Sequence, residues 1–236
     1  MGTPAEHPSR SAASPWQPPR PPDLPPRAVP RMRGSRFFAA LVAAAVVAGG
    51  IGVGVARSTA GDHGTVTGDG TALFNYVLAP PLDAFEMTDD IGGTNGVFTL
   101  DEFTRMFYGD DWLGIRDDLT ALRFQAMAER SWVGVDGIEF DVDLVEFDTA
   151  QHAHTFLGTQ VGLCDSDGTF GPSFSAAGDR GVGFESVNPD RFGFREAQLL
   201  ADQGNVVVIV LAFAPGPLNR AEETGVLTDQ LVRLPQ

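Results

Sequence analysis

The ten residues from Thr94 to Phe103, TNGVFTLDEF, have the spacing of the second half of a calcium-binding EF-hand loop. With Gly96 at the sixth position and Glu102 at the twelfth, the loop glycine, an apolar Phe98 and a bidentate glutamate are all in place. The same register puts Ile91 at the first ligand position and Gly93 at the third, and leaves Asp89 and Asp90 out of phase. A loop without its first two carboxylates lacks the charge that holds calcium. The stretch has a simpler reading as Thr99-Leu100-Asp101-Glu102, a capping box followed by Leu100, Phe103 and Phe107 on one helical face. It predicts the start of a helix.

Other residues with chemistry in them are few. Glu139, Asp141 and Asp143 alternate with apolar neighbours, which places three carboxylates about 7 Å apart along one strand face. They are the candidate cation ligands, but such a row is ordinarily a solvated face, here expected to be neutralised by Arg130, and no metal is assigned. His152 and His154 are two residues apart, which on a helix turns them to opposite sides and separates them as ligands. Cys164 is the single cysteine, so no internal disulfide forms. Asp165 and Asp167 beside it should raise its thiol pKa, and Asp165-Ser166-Asp167-Gly168 reads as a turn. No G-x-S-x-G, phosphate-cradling glycine loop or zinc spacing occurs, so no catalytic residue is assigned and no cofactor is expected. Phe170, Phe174, Phe184, Phe192 and Phe194 are interleaved with Gly and Pro. They are the candidate ligand-binding residues for a small apolar molecule; the alternative is a satellite core that pins a long loop to the sheet.

Charge and hydropathy divide the chain. The positive charge is all arginine, six of the sixteen lying in residues 1–36 against only Glu6 and Asp23. Beyond residue 56 ten arginines face twenty-nine acids, so this body repels phosphate backbones and nucleic acid is excluded as a partner. Between them, Phe37 to Ala56 is uncharged and apolar over twenty residues, long enough to span about 30 Å of hydrocarbon. Arg31, Arg33 and Arg36 precede it, which predicts a cytoplasmic N-terminus and an extracytoplasmic body anchored in the lipid bilayer through residues 37–56. The competing reading is a signal peptide starting near Met32 and cleaved near Ser58-Thr59-Ala60, which secretes the same body. The tail, with WQPPRPPDLPPRAVP, is expected to be disordered or polyproline II; Pro22 to Arg27 also fits a PxxPxR ligand.

The expected organisation is therefore a Pro/Arg-rich cytoplasmic tail (1–36), a transmembrane helix (37–56), a linker and lead-in (57–96) and an extracytoplasmic domain (97–236). Within that domain, helices are expected from Leu100 and over 117–123, then strand 124–133, an Asp136-Gly137 turn and the alternating strand from Ile138 to Leu144. A helix capped by Asp148 follows, then a long loop over 164–178 and a short strand over 180–187. A second hairpin turns at Gln203-Gly204-Asn205; its strand VVVIVLAF, apolar on both sides, belongs at the centre of the sheet. A C-terminal helix groups Leu227, Leu231 and Leu234. The fold class is α+β, an antiparallel sheet of about five strands with helices packed on one face.

The layout resembles uncharacterised actinobacterial single-pass membrane proteins. The run DVDLVEFDTAQHAHTFL and the hairpin around QGNVVVIV are similar to their Mog1/PsbP-like or sensor-like outer domains, over roughly residues 97–234. That resemblance implies an extracytoplasmic protein-interaction or envelope-accessory role with an envelope protein as partner, and carries over no catalytic residue. A small-ligand or lipid sensor is the alternative, and a cryptic hydrolase the third reading. The anchor predicts that protein tagged at either end migrates at full length on a gel; a shortened C-tagged product without the tail would mean cleavage.

Overall fold

The computed structural model describes residues 70–87, 95–108 and 112–235. The tail, the apolar segment 37–56 and Asp89, Asp90, Ile91 and Gly93 lie outside the described residues. Among the described residues no helix is long and apolar enough to cross a membrane.

Helix α1 (Gly70–Phe74) leads into two short strands, β1 (Phe85–Glu86) and β2 (Gly96–Phe98). Helices α2 (Leu100–Tyr108) and α3 (Trp112–Ala121) precede a hairpin, β3 (Phe124–Val133) and β4 (Glu139–Phe147). Helix α4 (Ala150–Ser166) is followed by β5 (Phe174–Ala176) and β6 (Gly181–Glu185). A second hairpin, β7 (Arg195–Gln203) and β8 (Val206–Ala214), and helix α5 (Arg220–Arg233) complete the chain. The strands form one sheet in the order β1-β3-β4-β8-β7-β6-β5, with β2 also pairing β3, and every pairing is antiparallel.

The fold class is α+β, with eight strands where about five were expected. The additional β1, β2 and β5 are two or three residues long, too short for alternation to mark them. Helices lie on both faces rather than one. On the first face, α1 and α5 bury Leu73, Leu227 and Leu231 against Trp132, Phe140, Val142 and Val208. On the second, α2, α3 and α4 bury Phe103, Ile115, Leu119 and Phe156 against Met127, Val145, Phe147 and Ile209. That double cover is why β8 is apolar at every position. It runs between β4 and β7, as expected for its sequence.

Local chemistry sets the element ends. The Thr99 capping box forms: Thr99 Oγ1 accepts from the Glu102 amide at 3.4 Å and Glu102 Oε2 accepts from the Thr99 amide at 2.9 Å. Helix α4 is capped by Thr149, not Asp148; Thr149 Oγ1 accepts from the His152 amide at 3.2 Å. Asp148 is occupied with the His152 ring instead. The expected loop over 164–178 is shorter, since α4 runs on to Ser166 and β5 begins at Phe174. Gln230, fully buried on α5, accepts from the Leu78 amide at 2.7 Å and donates to the Tyr76 carbonyl at 3.0 Å, fastening the segment after α1.

The β3–β4 turn differs from expectation by one residue. An Asp-Gly pair at the centre of a two-residue loop would close Val135 on Ile138. The observed loop holds three residues: the Gly134 amide donates to the Ile138 carbonyl at 2.8 Å, and Val133 pairs with Glu139. Asp136 Oδ1 accepts from the Ile138 amide at 3.1 Å, and Gly137 takes φ +81°, a left-handed conformation that a Cβ disfavours. A Cβ on Gly134 would sit 2.9 Å from that Asp136 oxygen, so a larger residue there would push the Asp136 carboxylate aside. Gly137→Ala should therefore lower stability by about 1 kcal/mol in a urea titration, with an unchanged denaturant slope.

Candidate functional site

A one-residue change of register moves every side chain of a strand to the other face. Arg130 therefore sits opposite Val142, on the first face, with its guanidinium 4.5 Å from the Phe74 ring centre and Nε 3.4 Å from Glu86. It does not neutralise the acidic row. Asp143 is opposite Glu129 instead, and Asp141 opposite Ser131.

The row is not a solvated face either. Glu139, Asp143 and Glu129 are 2 %, 4 % and 3 % exposed. Strand β8 puts Leu211 beside Asp141 and Phe213 beside Glu139, and β7 then adds Gln198 and Glu196 to the same rungs. One end of the second face thus gathers Glu129, Glu139, Asp141, Asp143 and Glu196 around Leu211 and Phe213. Toward the other end of the same strands the side chains are Met127, Val145, Phe147 and Val207, the apolar seat of α2, α3 and α4.

The electrostatics follow from burial among like charges. The Asp143 carboxyl is held well above the carboxylate range, first by burial and then by the charge of Asp141. Its Oδ1 is buried and makes no hydrogen bond to a described residue. Ser131 Oγ donates to Glu129 Oε1 at 3.2 Å. Tyr108, at the end of α2, has its phenol pushed up by burial and by the Asp143 charge. Glu196 rises to about 8, again mainly by burial, with Asp167, Asp190 and Asp141 adding repulsion. At the margin, Cys164 Sγ donates to Gln198 Oε1 at 3.3 Å, and burial followed by the Glu196 charge raises the thiol to about 12. That thiol stays protonated at neutral pH and is a poor nucleophile.

The remaining sequence candidates are scattered. His152 Nδ1 lies 2.5 Å from Asp148 Oδ1, while His154 Nδ1 lies 2.8 Å from Asp202 Oδ2, so the two rings do point apart. Among the described residues, no three His, Cys, Asp or Glu converge closely enough to hold a metal ion. The five phenylalanines do not converge. Phe170 and Phe184 meet edge to face at 6.1 Å within the second-face core. Phe174 packs toward the first face beneath Arg220, over Gly183, where a Cβ would come within 2.4 Å of the ring. Phe192 is 54 % exposed at a loop tip, and Phe194 begins the approach to β7.

Glu129 and Glu196 were not singled out from sequence. The signal for Glu129 is its phase: it alternates with Met127 and Ser131 on the face opposite Ala128 and Trp132. A further buried acid, Glu223, sits on the first face at the start of α5 with no exposed surface and neither carboxylate oxygen hydrogen-bonded to a described residue. Burial, then the Glu185 charge, raises it to about 7.

No family model matches the chain, and no curated protein matches it. Among solved structures, the extracellular domain of PknH from Mycobacterium tuberculosis is similar with a TM-score of 0.40 and 15 % identity, over 49 % of this chain and 68 % of that one.

The raised acids have a thermodynamic consequence. An acid whose folded pKa exceeds its unfolded value keeps its proton in the native state while the unfolded chain releases it. Stability contributed this way is intact below about pH 4.5 and is lost as pH rises toward the folded values near 7 for Glu223 and 8 for Glu196. Asp101, Glu102 and Asp148 are lowered by their hydrogen bonds and act in the opposite sense, weakening the fold only below about pH 4. The thermal midpoint should therefore be higher at pH 5 than at pH 8.5. Glu223→Gln should remove part of that difference, gaining on the order of 1–2 kcal/mol at pH 8.5 in a denaturant titration.

Proposed function

We propose that residues 97–236 form a non-catalytic binding module, carried outside the cell membrane by the 37–56 segment and serving as an interaction or accessory domain of the envelope. Its binding surface is the acidic end of the second sheet face. The supporting observation is Asp143, 4 % exposed, with Oδ1 unpartnered among the described residues and Glu129 directly across the ladder. Burying a carboxyl beside other carboxylates costs stability unless a partner compensates it. Groups that a fold retains at such a cost are disproportionately those that meet a ligand. The neighbouring positions Asp141, Leu211, Phe213 and Glu196 are half-buried, so the acidic end reaches the surface in part among the described residues.

A second surface is favoured by one observation. Val187 and Phe192, both 54 % exposed, are the members of the phenylalanine-rich segment available for an apolar ligand or lipid contact.

The two roles open to Asp143 differ in sign. A carboxyl kept for binding is a burden on the free protein, so Asp143→Asn and Asp143→Leu should raise the thermal midpoint by a few degrees, on the order of 1–2 kcal/mol. A fall in the midpoint for both variants would make Asp143 a structural group and sink this assignment of the binding face.

A further inference from the structure

Nine large apolar side chains are exposed among the described residues, and five of them stand at one end of the sheet. The strand register places them there. Phe85 pairs with Val133 at the last rung of β3, and Leu82 lies in the turn that leads into it. Val135 is at the tip of the β3–β4 loop, and Val187 and Phe192 are on the connection from β6 to β7. The turns at the opposite end carry Arg123, Asp148, Asp179 and Arg180 instead. Exposed apolar groups gathered in this way mark a contact surface. At roughly 200 Å² for a fully exposed large side chain, the five leave on the order of 700 Å² uncovered, close to the roughly 800 Å² that each partner gives to a standard interface.

The end is also arranged to meet a copy of itself. Strand β8 is the middle of the run β3-β4-β8-β7-β6, so the β3–β4 loop and the β6–β7 connection flank it at equal distances, each about 7 Å away. The two flanks carry opposite charge. Asp136 is exposed beside Val135, and Asp83 is exposed beside Leu82. On the other flank the Arg191 guanidinium lies 4.6 Å from the Phe192 ring centre, and Arg195 Nη1 donates to the Ser186 and Val187 carbonyls at 3.4 Å. Asp190 on that flank is engaged within its own loop, its Oδ1 accepting from the Phe192 and Phe194 amides. Glu86 with Arg130, and Glu185 with Arg220, are paired inside the chain.

A two-fold rotation about an axis normal to the sheet, at the end of β8, lays each acidic flank on the basic flank of the other copy. Val135 then meets Phe192, and Asp136 meets Arg191. A lipid surface would take up the apolar side chains but offers Asp83 and Asp136 no cation. We propose that two copies of this chain associate head to head through this end, the β3–β4 loop of each seated on the β6–β7 connection of its partner. The excess of acids over arginines beyond residue 56 opposes the approach at long range, so the association strengthens with salt. This names the occupant of the second surface described above and does not depend on the acidic one.

Disulfide trapping tests it. Cys164 is buried, so a cysteine introduced at an exposed position is the reactive one. Within one chain the two flanks are about 14 Å apart, beyond the reach of a disulfide. Full-length Val135→Cys and Phe192→Cys chains in neutral detergent, mixed and mildly oxidised, should give about ten-fold more linked dimer than either variant alone. In sedimentation equilibrium the natural chain should move from monomer toward dimer between about 1 and about 100 µM. Phe192→Asp should hold it monomeric with an unchanged thermal midpoint, since the ring is exposed. Monomer at every concentration, single variants that link as well as the mixture, or association that survives Phe192→Asp overturns the proposal. So does a nitroxide on Phe192→Cys that reports acyl-chain contact in phosphatidylcholine vesicles while the chain stays monomeric, which gives this end to the bilayer. The acidic binding face is judged separately, by Asp143→Leu.

Discussion

Two backbone hydrogen bonds at the tip of one hairpin decide what faces what in this domain. The Gly134 amide donates to Ile138 and the Gly137 amide to Gly134, closing a three-residue loop between β3 and β4. Side chains alternate with a period of two, so this loop length determines which half of each strand lies under α1 and α5 and which lies under α2, α3 and α4. With three residues, Trp132 stacks on Phe140 at 5.7 Å in the first-face core. The price of that apolar pairing is that Glu129 and Asp143 meet on the other side.

The two faces consequently differ in kind. The first is mainly apolar along β3, β4 and β8, and its polar exceptions stand apart from one another: Gln230 with both hydrogen-bonding functions satisfied, Arg130 lying over Phe74, Glu146 near the end of β4 and Glu223 on α5. The second changes character along each strand. From Phe147 and Val145 to Asp143, Asp141 and Glu139, β4 passes from aromatic core to carboxylates within a few residues. The aromatic half holds the helices through contacts such as Phe103 on Phe124 at 5.6 Å and Phe147 on Phe156 at 5.1 Å. Its burial is what keeps the acidic half folded, since carboxyls enclosed beside one another oppose folding whenever they ionise.

How much of this could be read in advance depended on whether a feature is decided locally. The Thr99 capping box, the limits of β3, the central place of VVVIVLAF and the opposed directions of His152 and His154 each follow from a few adjacent residues. The structure has them as the sequence implies. The β3–β4 register did not follow, because Asp136-Gly137 suits the centre of a two-residue loop and the end of a three-residue loop about equally well. In the three-residue loop the Asp136 carboxylate lies against Gly134, where a Cβ would come within 2.9 Å of it. With a two-residue loop Arg130 would face the acidic row; with three it lies over Phe74 on the other face, and the row is buried. Glu196 was invisible for a different reason: it joins the acids through β8, from more than fifty residues away in sequence.

That long-range pairing also explains why the phenylalanine-rich segment and the acid row trade places in importance. Aromatic rings spaced among Gly and Pro invite a pocket, but β6 and β5 distribute them by strand parity and loop position. Phe184 and Phe170 enter the second-face core, Phe174 lies toward the first face under Arg220, and Phe192 stays outside. Each ring that is buried already has its apolar surface covered. Asp143 and Glu196 have the opposite balance: burial removes water from them and neighbouring carboxyls add repulsion. Buried carboxyl oxygens without a partner among the described residues occur on both faces, at Asp143 on the second and at Glu146 and Glu223 on the first. Each such carboxyl opposes folding when it ionises, and on the second face the strand pairings add like charge from β3, β4 and β7 on adjoining rungs.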